Sequence, residues 1–206
     1  MTRLVKADGS FGTEYVYSAK AYIDDVLSRE IGGKITAELK ALVSALEVYG
    51  KNAAAVLADG PVADTIASAD FSGVTEASGS KTGNTLRLHS FSLELKSNIK
   101  LRVYFSLTRS IAKIEDYTVK VNGEVRNVTA TNNKYVYCIE ETVTATELGD
   151  TFTFTVESAD SSLTLNLSAL YYAKMMNEQA DTEAEKNLMK AIKLYYDAAI
   201  AYKESK

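Results

Sequence analysis

The chain has 206 residues, is 46% hydrophobic and carries a formal net charge of −4, enough apolar content for a real core and too much for disorder. Acids and bases are mixed, and no basic run could neutralise a row of phosphates, which argues against nucleic acid as a partner. No apolar stretch approaches the 18 or so residues a membrane span needs.

The N-terminus, "MTRLVKADGSFG", lacks the apolar centre of a signal peptide. Two readings follow: a cytoplasmic protein, or a fragment whose signal lies elsewhere. Ser18 to Leu27 reads as a helix capped by Ser18, with Gly32-Gly33 supplying its left-handed stop. Leu42, Ala45, Leu46, Tyr49, Ala53 and Val56 then recur at three and four residues, one buried helical stripe. Together they predict an αα-hairpin over 18–57.

The segment 58–85 carries "ADGP", "FSGV" and "GSKTGN" and reads as an entry loop with one short strand. Its glycine-rich end lacks the spacing of a phosphate loop. From there the period becomes two. Leu86 and Leu88 alternate, then Phe91, Leu93 and Leu95 alternate in the shifted phase, which predicts a bulge near Ser90. After the turn "KSN" come Leu101, Val103, Phe105 and Leu107. Tyr117, Val119 and Val121 lead into Asn122-Gly123, a strong hairpin signal, with Val125 and Val128 on the return strand. "KYVYCIEETV" is apolar on both faces at its centre and predicts an interior strand. "TFTFTVE" and "LTLNLS" complete the set.

Ser168 caps a helix running to about Gln179, and Thr182 with Glu185 forms a capping box for a helix over 183–204. This last helix repeats the earlier one. "ALVSALEVYGKNAAAV" (41–56) slides onto "NLMKAIKLYYDAAIAY" (187–202) by 146 positions, so Leu42 meets Leu188, Ala45 meets Ala191, Tyr49 meets Tyr195 and Ala53 meets Ala199. Ser18 and Ser168 are 150 apart, so the repeat extends back through the hairpin with a four-residue difference in its loop. It reaches further, to a strand at 12–17 matching 162–167. The expected fold is therefore α+β: an antiparallel β-sandwich of immunoglobulin-like size, about seven to eight strands, flanked by two αα-hairpins. Residues 1–60 form a strand plus hairpin, the tail of a preceding module, and 61–206 form a sandwich with its own hairpin. The alternative is one integrated domain with the hairpins packed as a four-helix cluster.

Candidate chemistry is sparse. His89, the one histidine, would have to anchor any Ser-His-Asp triad, and no G-x-S-x-G elbow exists. Cys138 sits between Tyr137 and Ile139 and reads as a buried, inert thiol. One His and one Cys make no zinc site, and the Asp-Gly pairs lack calcium-loop spacing, so no metal or cofactor is expected. Glu140-Glu141 and Asp160 are the carboxylates a glycoside hydrolase reading would need. For binding, Tyr104, Tyr135 and Tyr137 could form an aromatic surface on the sandwich, although the absence of Trp weakens a sugar platform.

"SFSLELKSNIKLRVYF", "YVYCIEETVTATELGDTFTFTVE", "LNLSALYYAKMM" and "NLMKAIKLYYDAAIAY", in that order, resemble a recurring module near the C-termini of large secreted proteins of gut and rumen clostridia (Firmicutes). The resemblance covers about residues 70–206 and rests on Leu101 through Phe105, Glu147-Leu148, Ser168 through Ala173 and Ala191 through Ala199. It implies an extracellular or cell-surface setting and several domains in one chain, and it implies no activity. The expectation is a non-catalytic structural or interaction module whose partners are neighbouring modules. The alternatives are a module that binds an extracellular glycan or host protein and, more distantly, a glycoside or ester hydrolase.

Overall fold

The computed structural model describes residues 18–57, 63, 65–96, 98–108 and 113–206. The strand expected at 12–17 and the module boundary at 60/61 lie outside the described residues. The fold is α+β, with two antiparallel sheets facing one another and four α-helices among the described residues.

Helix α1 (Ala19–Ser28) starts where expected, with the Ser18 hydroxyl accepting from the Ala21 N–H. It does not end as expected. Arg29 is already extended, and the Ser28 hydroxyl donates to the Asp25 carbonyl, so the helix stops before the glycines. Gly33, at φ +57°, instead shapes the turn that lets Gly32 and Ile35 bridge. Helix α2 (Ala37–Leu57) opens with the Thr36 hydroxyl accepting from Leu39 N–H.

Nine strands follow among the described residues. β1 (Ser78–Thr82), β4 (Thr118–Val121), β5 (Glu124–Val125), β8 (Phe152–Glu157) and β9 (Ser162–Leu167) form one sheet, in the order β1-β9-β8-β4-β5. β2 (Leu86–Leu95), β3 (Ile99–Leu107), β6 (Thr129–Ala130) and β7 (Val136–Val143) form the other, in the order β2-β3-β7-β6. The phase slip in the sequence is a real bulge: the β2–β3 register shifts between Leu88 and Ser90. Asn122 and Gly123 both have positive φ, at 51° and 84°, as the tight β4–β5 turn requires. β7 is interior, between β3 and β6. Alternation fills the space between the sheets: Leu101, Val103 and Phe105 from β3 meet Phe154, Val156, Leu163 and Leu165 from the opposite sheet in one buried cluster.

Edge strands leave backbone groups free to pair with other chains. β1 and β2 are such edges, one in each sheet. The bulge in β2 and the exposed Lys81 on β1 are common devices against that pairing.

α3 (Ala169–Gln179) and α4 (Glu183–Glu204) carry the predicted caps, Ser168 and the Thr182–Glu185 box. Both helices join the sandwich core. Ala169, Leu170, Ala173, Leu188, Met189 and Ile192 are buried in the same cluster as the strands. Phe91 of β2 lies between Tyr171 and Tyr172, each 6.2 Å away by ring centroid. The α1–α2 pair has a smaller core of its own: Ile23, Val26, Leu39 and Val43, with Tyr202 of α4 packed on it.

Candidate functional site

The three nominated tyrosines do not form one surface. Tyr104 pairs with Cys138 and Phe105 with Tyr137 across β3–β7, so Tyr104 and Tyr137 point to opposite faces. Tyr137 points inward and stacks on Phe105 at 5.8 Å. Tyr104 faces outward beside a charged ladder. Tyr135, at φ 68°, occupies the turn before β7, its carbonyl accepting from Leu107 N–H and its ring lying 5.0 Å from Lys134 Nζ.

The nominated chemical groups are placed as follows. His89 is exposed at the β2 bulge. Cys138 is buried, and desolvation pushes its thiol up, away from the reactive thiolate. Glu140 is held between Lys100 Nζ at 2.8 Å and Arg102 at 2.5 Å, and these cations hold its carboxyl below the usual glutamate range. A general acid needs the opposite shift. Glu141 pairs with Arg126, 3.2 Å away, and Asp160 is exposed in the β8–β9 turn. Among the described residues no three His, Cys, Asp or Glu side chains converge on one point.

What the fold does assemble is a contact between the two helical hairpins. Shifting α2 (37–57) by 146 gives 183–203, and α4 spans 183–204. Shifting α1 (19–28) by 150 gives 169–178, and α3 spans 169–179. The two long helices run antiparallel. Tyr202, near the end of α4, packs at the start of α2. Beyond the end of α2, Ile66 N–H donates to Asn187 Oδ1 and the Ile66 carbonyl accepts from Lys190 Nζ, both near the start of α4. Midway along, Tyr49 and Tyr195 stack on each other, with ring centroids 5.7 Å apart and planes within 4°. They fall at matching positions under the 146-residue shift. When equivalent residues of antiparallel helices touch, a local two-fold axis passes between them. Such an aromatic pair contributes about 0.5–1.5 kcal/mol beyond the area it buries. Burial pushes both hydroxyls up.

The two hairpins differ in what covers them. Leu188, Ala191 and Ile192 are 2%, 0% and 0% exposed. Their equivalents Leu42, Ala45 and Leu46 are only half-buried. α4 has the sandwich on one side and α2 on the other, whereas α2 has no sandwich over the matching face among the described residues. Lys20 stands where the second copy has the buried Leu170, and it is exposed in an ion pair with Asp24 at 2.9 Å.

Sequence reasoning identified Tyr49 and Tyr195 as equivalent, but equivalence alone does not imply contact. It also missed a half-open pocket of about 320 Å³ between the 70–75 loop, Gly149 and α4. Its walls come from distant parts of the chain and share no motif. No protein family, curated protein or solved structure matches this chain.

Proposed function

We propose that this chain is a non-catalytic structural and interaction module of a secreted, multidomain bacterial surface protein, and that it sets the position of neighbouring units through helix-on-helix contacts. The resemblance to modules of clostridial surface proteins motivates the setting. The observation that carries the reading is the Tyr49–Tyr195 stack. One hairpin is built into the sandwich core, and the other lies against it by its repeat-equivalent face. A unit that ends in such a hairpin can receive the hairpin of its neighbour in the same way, and a series of them would hold outer domains at a fixed spacing.

The junction can be tested by charge. Ala53 is half-buried on the α2 face that packs against the main core. Ala53→Glu places a carboxylate there without a partner, a cost of several kcal/mol. The expected result is release of residues 18–57. Small-angle scattering should show a larger particle, and amide exchange should lose protection over 37–57 while β3 and β7 stay protected. A particle of unchanged size with a protected α2 would contradict the proposed junction. So would simultaneous loss of protection in β3 and β7, because the hairpin and sandwich would then be one unit.

A further inference from the structure

A half-open pocket beside α4, with polar and apolar walls, lies apart from the helical junction. Its floor is fixed by packing. Phe71 is buried at 8% exposure, Val74 N–H donates to the Phe71 carbonyl, and Asp70 Oδ1 accepts from Ser72 N–H at 2.8 Å. The far wall is α4, where Lys193 is only 11% exposed and its ammonium lies 2.6 Å from each oxygen of Asp197. The same ammonium lies 5.9 Å from the Tyr196 ring. Gly149 completes the rim. A Cβ at that position would sit 2.6 Å from the Tyr196 hydroxyl, so the missing side chain is what lets the tyrosine occupy its place.

From this chemistry we infer that the cavity is a binding site for one neutral, hydroxyl-rich ligand of hexose size, held by the Asp70 carboxylate as acceptor and the Tyr196 and Thr75 hydroxyls as donors. At 320 Å³ the space is at the small end of ligand pockets, room for one sugar ring or a comparable polyol. Charge disfavours anionic ligands. Lys193 is already neutralised by Asp197, and Asp70 adds a further negative charge, so a phosphate or carboxylate would meet net repulsion. A zwitterionic amino acid needs a free cation for its carboxylate, and Lys193 is occupied. Hydroxyl groups can both donate to Asp70 and accept from Tyr196 and Thr75, which matches what the walls offer. The Ser72 N–H and hydroxyl hold the Asp70 carboxyl below its usual range, so it is an acceptor at neutral pH.

The test is a nuclear magnetic resonance titration of the intact 1–206 chain with separate panels of neutral hexoses, N-acetylhexosamines, zwitterionic amino acids and inorganic phosphate. The expected result is saturable shifts at the Gly73 and Gly149 amides with a neutral sugar. Asp70→Asn should weaken them about tenfold or more, the loss of a hydrogen bond to a charged group. Gly73→Leu should abolish them. Gly73 lines the pocket and a Cβ there meets nothing within 4 Å, so a bulky side chain can be added at the rim without a clash at its Cβ, and an unchanged urea midpoint would verify that the fold is kept. The proposal is overturned if no neutral sugar gives a saturable shift. It is also overturned if amino acids or phosphate bind in preference, or if binding survives Gly73→Leu.

Discussion

Ile192→Ala is expected to destabilise the folded chain by about 2–5 kcal/mol, the range for emptying a sealed apolar site. Ile192 is 0% exposed and sits in the cluster shared by both sheets and the α3–α4 hairpin. The same change at its repeat equivalent, Leu46→Ala, is expected to cost roughly half as much or less, because Leu46 is only half-buried and rests on the smaller α1–α2 core. Sequence similarity alone gives no reason for the two to differ. The difference follows from the sandwich, which among the described residues covers α4 and not the matching Leu42–Leu46 face of α2. Urea unfolding of both variants, compared at constant slope, reads it directly. Equal losses would mean that the two helices are equally built into the core.

Gly83→Ala is the second large effect, expected at about 2–4 kcal/mol. Here the chain leaves β1 in one sheet and enters β2 in the other. Gly83 has φ +69°, a region costly for any residue with a Cβ. A Cβ would also lie 2.4 Å from the Asp160 carbonyl and 2.1 Å from the Ser161 hydroxyl. The carbonyl belongs to backbone and cannot swing away. Around this corner Thr85 donates to Ser161 at 2.8 Å and Tyr117 donates to Thr85 at 2.8 Å, a hydrogen-bonded chain joining the two sheets. Moving the β8–β9 turn to admit a methyl group would break it. Gly123→Ala is a useful control: its φ is +84°, but a Cβ there meets nothing within 4 Å. The strain should be similar and the clash absent, so Gly83→Ala should lower the urea midpoint further than Gly123→Ala. Equal losses would place the whole cost in the backbone angle.

Much of this architecture was legible because its signals are local. The phase slip from Leu88 to Phe91 is a bulge, since a one-residue insertion must flip every later side chain. Ser168 and the Thr182–Glu185 box mark helix starts because their side chains satisfy backbone N–H groups that a helix leaves free. Gly32-Gly33 misled for a related reason: a glycine pair after a helical run signals a stop, but Arg29 and Ser28 had already ended the helix. The nominated tyrosines misled because residue type was weighed without parity. Odd and even positions on β3 and β7 face opposite ways, and Tyr104 and Tyr137 fall on different faces. The cavity left no signal at all, since Asp70, Gly149 and Lys193 meet only after both sheets and α4 have packed.

One asymmetry divides the apolar packing. Every buried residue of the main cluster lies at or beyond Phe71, whereas the α1–α2 hairpin has a core of four buried apolar residues, with Tyr202 packed on it. The most direct measurement is cooperative unfolding of residues 61–206 beside the full chain, followed by circular dichroism and amide exchange. The expected result is a folded fragment with a single transition, protected β3 and β7, and a lower urea midpoint from the uncovering of Tyr195 and Ala199. A fragment that is unfolded under conditions where 1–206 is folded would contradict it. The two hairpins and the sandwich would then be one indivisible domain, and the Tyr49–Tyr195 stack would be part of its core rather than a junction between units.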